Sequence, residues 1–208
     1  HPIYGRSCAA VLYAMALTRG IDQSVSNTGL CLLDTEAELS AARFHSFSSQ
    51  ADTKAELTSL YRRRLKNYVV EHKPHFIAFE EPFDHVMNAN TTPLLWIAGA
   101  TIALADGAQR PWYLMRPVTW RKAFLGYTTV SELERAGHVD LSWYREIEAQ
   151  RSPTKQEQDK RQRQTKAGWK KAVRARCESE GMAARDDDQA DAAGIAVCAM
   201  KSQAFKYL

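Results

Sequence analysis

Apolar residues follow two alternating periods along this chain, and the changes of period mark out its elements. Thr18 to Gln23 and Leu30 to Asp34 are short apolar runs joined by a tight connection, and Ala41 to Phe47 alternates apolar with polar. Together they predict three strands in an antiparallel meander. Thr53 to Glu71 then places Leu57, Leu60, Tyr61, Leu65 and Tyr68 at helical spacing, with Arg62, Arg63, Arg64 and Lys66 around the outer faces and Pro74 closing the element. His75 to Glu80 is a compact apolar run ending in acid, the pattern of a buried parallel strand. Thr91 to Ala105 reads as an apolar helix, Trp112 to Arg116 as a strand, and Trp120 to Leu125 as a helical turn that stops at Gly126. Ser131 to Ala136 and Leu141 to Ala149 suggest short helices. Arg151 to Gln164 is polar, lacks apolar anchors and is expected to be a mobile insertion. Lys166 to Glu180 and Asp188 to Lys201 restore helical character. Strands followed by alternating helices and strands predict an α/β domain with a mixed sheet.

Length and composition fit this reading. The 208 residues suit one domain with a substantial core, here taken as residues 18–208 carrying an insertion at 127–165 behind an N-terminal extension at 1–17. Within that extension, Cys8 to Leu17 faintly resembles a signal segment behind Arg6, while Met15 is an equally acceptable start. The longest apolar run, Leu94 to Ala105, is too short to cross a bilayer, so no membrane association is expected. Cys8, Cys31, Cys177 and Cys198 form no C-x-x-C pair and read as reduced thiols of a cytosolic protein. Pro74 between His72 and His75 argues against a zinc pair.

The net charge of +4 conceals a strong asymmetry. Arg151 to Arg176 holds ten Lys/Arg against Glu157 and Asp159, whereas Glu178 to Asp191 holds six acids and one Arg. A basic block beside an acidic cluster suits a polyanion held near cations.

Three acidic groups stand at the ends of apolar elements. Asp22 ends the first strand, Glu80 ends the fourth, and Asp188 with Asp191 begins the last helix. A crossover can set the fourth strand parallel to the first, which would bring Asp22 and Glu80 side by side. Asp188 and Asp191 are i,i+3 and share a helix face. Four converging carboxylates repel unless cations hold them, and such hard oxygen ligands suit Mg²⁺ or Mn²⁺. Each group also has a structural explanation: Asp22 can form a turn, and the acids of DDDQAD can cap a helix. Glu80 is harder to explain this way, because it follows Phe76, Ile77, Ala78 and Phe79, and an unpaired buried carboxylate is costly. Strand alternation sets Glu80, rather than Glu81, on the face of Ala78.

In this order and spacing, GIDQSVSNTG, IAFEEPF and DDDQADAAGIAV resemble the RuvC family of Holliday-junction resolvases. The stretch PVTWRKAFLG, Pro117 to Gly126, is similar to its phage-type members. The resemblance spans roughly Thr18 to Met200 without the insertion. It implies an RNase H-like three-layer α/β fold with a mixed five-stranded sheet flanked by helices, in a protein of a bacterial cell or phage-infected host. It also implies Asp22, Glu80, Asp188 and Asp191 as catalytic acids binding two Mg²⁺ or Mn²⁺ ions per site. One ion, held by Asp22 and the helix acids, would activate water, and a second, shared by Asp22 and Glu80, would stabilise the leaving 3′ oxygen.

On the same resemblance Phe83 is similar to an aromatic that stacks on bases opened at the junction centre, the alternative being a core aromatic after Pro82. Lys122, Lys166, Lys170, Lys171 and Arg174 become candidate DNA contacts, the alternative being solvated helix faces. The implied substrate is branched DNA, a four-way junction cut by paired nicks, and its symmetry suggests a homodimer. Two departures accompany the likeness: the long 127–165 stretch, and Gln23-Ser24 where members often carry Pro or Gly with Ser. Two other classes remain in view. One is a DNA-binding module with the fold but no activity. The other is an actin-like or sugar-kinase-like phosphotransferase, for which this chain is short and poor in glycine.

Overall fold

A computed structural model describes residues 17–23, 26–82 and 91–202. The described residues begin with three strands, β1 (Leu17–Asp22), β2 (Asn27–Asp34) and β3 (Arg43–Ser48). Helix α1 (Lys54–His72), β4 (Phe76–Glu80), α2 (Thr91–Gly107) and β5 (Trp112–Met115) follow. Five helices complete it: α3 (Pro117–Leu125), α4 (Val130–Arg135), α5 (Ser142–Gln150), α6 (Lys155–Ser179) and α7 (Asp187–Lys201).

The strands form one mixed sheet in the order β3-β2-β1-β4-β5. The first three are antiparallel, whereas β4 is parallel to both β1 and β5. Helices cover both faces, so the expected α/β architecture with a five-stranded mixed sheet is the one observed. On one face, Ile21, Leu30, Ile77 and Phe79 pack with Tyr61 and Leu65 of α1 and Ile97 of α2. On the other, Cys31, Leu33, Phe76 and Ala78 pack with α7 and with Trp120 and Phe124 of α3. Strand alternation divides the residues between these faces as a period of two requires.

Local chemistry accounts for the helix ends. Thr53 caps α1 through a reciprocal capping box with Glu56, which satisfies backbone donors that would otherwise be unpaired. Pro117 begins α3, where its missing N–H is no loss, and Gly126 ends it with φ of 88°.

Two boundaries differ from the sequence pattern. Strand β2 begins at Asn27, three residues before the expected Leu30, because Asn27, Thr28 and Gly29 pair with β3, and Gly29 pairs with Asp22 of β1 as well. Arg151 to Gln164, expected to be a mobile insertion, is ordered as helix: from Lys155 onward it forms the first turns of α6, capped by Thr154 and Glu157. Its anchors are polar and aromatic instead of aliphatic. Trp143 Nε1 donates to Gln164 Oε1 at 2.8 Å, and the Lys160 ammonium lies 4.3 Å from the Trp143 ring centre. Cys31, Cys177 and Cys198 are buried free thiols. Among the described residues no helix is long and apolar enough to cross a membrane.

Candidate active site

The parallel pairing of β1 with β4 sets the first two acids. Ile21 lies opposite Phe79, so the next residues, Asp22 and Glu80, stand beside one another at the carboxyl ends of adjacent strands. Ligand sites in such sheets gather at that end. Both side chains point to the α7 face, because Gly20 and Ala78, two residues earlier, pack there.

Helix α7 brings the other two acids by lying unusually close to the sheet. A Cβ on Gly20 would fall 1.9 Å from the Ala192 carbonyl oxygen, and one on Gly29 would fall 2.0 Å from that of Asp188. Only glycine permits such contact between backbones. Gly29 is also the β2 residue paired with Asp22. The glycine that admits the start of α7 is therefore the cross-strand neighbour of the first acid.

All four carboxylates are half-buried. Asp22 retains a small accessible edge yet is surrounded densely enough that burial, followed by the charges of Asp191, Glu80 and Asp188, holds its pKa well above the ordinary carboxylate range. Burial, with the Glu80 charge, pushes Asp191 up to about 7, opposed by Arg121 and Lys170. Burial also raises Glu80, against the pull of a hydrogen bond from Trp120 and the Arg121 charge. The acids thus form one electrostatic group whose negative charge is only partly compensated.

Neighbouring side chains orient this group. Trp120 Nε1 donates to Glu80 Oε2 at 2.7 Å, and Asn27 Nδ2 donates to Asp188 Oδ2 at 2.7 Å. Glu81 turns away to an ion pair with Arg116 at 3.2 Å, as strand alternation requires. Gln23 also leaves the site, donating to Thr101 Oγ1 at 2.6 Å on the opposite face. Among the described residues, no three Asp, Glu, His or Cys side chains are gathered into a finished cation cage. The acids share a field without yet sharing a ligand geometry.

The basic candidates separate into two groups. Lys170 pairs with Asp187 at 3.0 Å, and Arg174 approaches the same carboxylate at 3.9 Å, so both stand at the acidic cluster. Lys166 and Lys171 are exposed on α6, and exposed Lys122 donates to the Gly126 carbonyl at the end of α3. Phe83 lies outside the described residues. Sequence reasoning passed over Asn27, Trp120, Arg121 and Asp187. Asn27 and Trp120 fell inside the quoted motifs, but an amide and an indole carry no signal of a carboxylate partner until the fold is known.

No protein-family model matches the chain, and no curated protein sequence matches it. Solved structures do. The structure of Thermus thermophilus RuvC aligns with a TM-score of 0.57 at 21% identity, covering 88% of this chain and 93% of that one. Thermus thermophilus RuvC in complex with a Holliday junction substrate aligns with a TM-score of 0.56 at 20% identity, covering 89% and 92%. Over nearly the whole length of both chains, the fold is that of RuvC.

Proposed function

We propose that this protein is a divalent-metal-dependent, structure-selective endonuclease of the phage-type RuvC kind, hydrolysing phosphodiesters at four-way DNA junctions by paired nicks. The observation that carries this reading is the joint placement of Asp22 and Glu80 on adjacent parallel strands beneath Asp188 and Asp191 of a closely docked helix. The likeness of fold to a RuvC bound to a Holliday junction supports the substrate class.

The donor set fits Mg²⁺ or Mn²⁺. It consists of carboxylate oxygens, and burial, followed by the charge of neighbouring acids, raises the pKa values of Asp22 and Asp191, a penalty on the ionised form that a bound cation would offset. Asp22, Glu80, Asp188 and Asp191 would hold the ions. Bound divalent ions supply Lewis acidity, which makes water a better nucleophile and offsets charge developing at the phosphate. Trp120 and Asn27 fix one oxygen each of Glu80 and Asp188, limiting the rotamers that ligation must freeze. Lys170 and Arg121, close enough to lower the Asp191 pKa, add positive charge where a phosphate would approach. Hydrolysis breaks the bond from phosphorus to the 3′ oxygen, leaving a 5′ phosphate and a 3′ hydroxyl.

Two cuts in one junction call for two sites, which a two-fold dimer provides. Leu95 and Trp96 on α2 are 45% and 46% exposed, apolar surface that a second copy would cover. A branched-DNA-binding module without activity is the competing reading.

One experiment separates them. Synthetic four-way junctions, flaps, splayed arms and duplex are incubated with the protein in Mg²⁺ or Mn²⁺. Symmetric nicking of the junction, lost in Asp22→Asn while junction binding persists, is expected. Binding without cleavage in either metal would establish the inactive module.

A further inference from the structure

A cleft of about 670 Å³ opens between α3, α5 and α6, and the acids account for only one end of it, at Asp191. That volume lies within the range of small-ligand sites. Its long wall is a stripe along α6: Gln158, Arg161, Gln162, Lys166 and Trp169 follow the three- and four-residue spacing of one helix face. A helix face turned toward neighbouring elements is ordinarily apolar. Here it is polar and cationic, and none of the α6 residues before Gly168 is buried.

Flat groups stand on both walls. The Arg161 guanidinium lies 4.7 Å from the ring centre of buried Tyr144. The Arg121 guanidinium lies 5.2 Å from the Trp120 ring centre and 5.4 Å from that of Trp169. Arg121 Nε is buried without a hydrogen-bond partner, a costly arrangement that an incoming acceptor would relieve. Cations outnumber acids in the lining: Arg121, Arg161, Lys166 and Lys170 face the single carboxylate Asp191, although Lys170 is partly engaged by Asp187.

Positive charge with planar stacking surfaces selects an anion bearing a π-face. A paired base offers no free face, because its neighbours in the stack cover both sides; an unpaired base does, and it stacks on aromatic rings and guanidinium planes. We propose that this cleft binds one unpaired nucleotide of the DNA strand whose phosphodiester lies over the acids. Arg121 and Lys166 take its phosphate, and its base lies against the Arg161 plane backed by Tyr144, with Trp169, itself stacked with Tyr127, at its edge. The α4 to α6 region thereby extends the site along the strand. Placement beside the cut rests on the nuclease reading, whereas binding of the nucleotide does not.

The test uses the full chain in metal-free buffer and two fluorescein-labelled probes of equal charge, octathymidylate and an abasic octamer. Wild-type protein is expected to prefer octathymidylate about ten-fold. Arg161→Ala should remove most of that preference. Gln162→Glu, at an exposed position that should not disturb folding, should weaken both probes several-fold. Equal affinity of the wild-type protein for the two probes, or unchanged binding in both variants, overturns the proposal. Junction nicking in Mg²⁺ is assayed in parallel. Nicking with variant-insensitive oligomer binding removes the cleft and spares the nuclease. Absence of nicking with variant-sensitive binding does the reverse.

Discussion

The two faces of the sheet are packed by opposite means. Against α1 and α2 the strands present Ile21, Leu30, Ile77 and Phe79, which meet Tyr61, Leu65 and Ile97, all large and fully buried. Against α7 they present Gly20, Gly29 and Ala78 beside Ala190, Ala192, Ala193 and Ala196, while the same face also carries the larger Leu33 and Phe76. Side-chain size sets how closely packed elements approach. The first face is thick throughout; the second is thin at Gly20 and Gly29, where it brings backbone to backbone. The difference separates stability from placement, because acids on α7 reach the field of Asp22 only where no Cβ holds the helix away.

Adding one carbon to the thin face is the severest way to break this comparison. In Gly20→Ala the new Cβ meets the Ala192 carbonyl oxygen at 1.9 Å and the Ala196 nitrogen at 2.6 Å, both backbone atoms that cannot rotate aside. Helix α7 must shift. We expect a stability loss of about 3 kcal/mol, at the upper end for overpacking, measured by urea unfolding. Nicking by the molecules that remain folded should fall about a hundred-fold, the penalty for misplacing reacting groups by about 1 Å. Truncating the thick face should act differently. Leu65→Ala removes a fully buried side chain and should cost about 2–4 kcal/mol, yet leave nicking per folded molecule unchanged. If Gly20→Ala unfolds no more readily than wild type and still cuts at full rate, the thin face does not place the acids.

The same division explains what could be read in advance. The thick face follows from periodicity: the spacing of Leu57, Tyr61, Leu65 and Tyr68 announces α1, and the run Phe76 to Phe79 announces β4. The acids were legible because each interrupts such a pattern, and the register of β1 on β4 did bring Asp22 beside Glu80. The thin face was less visible, since Asn27, Thr28 and Gly29 look like a turn and reveal themselves as strand only through their pairing with β3 and, at Gly29, with β1. The first turns of α6 were missed for a related reason. Their anchors, the bonds of Trp143 to Gln164 and the stacking of Arg161 on Tyr144, lie between polar or amphipathic groups and leave no apolar period. Trp120 and Asn27 as acid-orienting residues required the fold itself.

The gentlest test adjusts charge without altering packing. Asp22, Glu80 and Asp191 have raised pKa values, chiefly through burial, with Asp191 near 7, whereas an unfolded chain would release these protons near pH 4. Between those values the native state holds more protons than the unfolded state. Metal-free stability must therefore fall as pH rises through this window, from about 4 to 7. Thermal unfolding in chelator should show a lower Tm at pH 8 than at pH 5, with Lys170 and Arg121 limiting the drop. Asp191→Asn removes one of the charges that must be buried, so in chelator at pH 8 it should be more stable than wild type by on the order of 2 kcal/mol. For a chain of this size that is roughly 4–8 °C in Tm. Mg²⁺ should raise the wild-type Tm at pH 8 more than at pH 5, where protons compete for the same oxygens, and should raise the Asp191→Asn Tm less than the wild type's. A Tm in chelator that rises from pH 5 to pH 8 would mean that the acids are neutralised within the protein, leaving the thin face no unmet charge for a cation to satisfy.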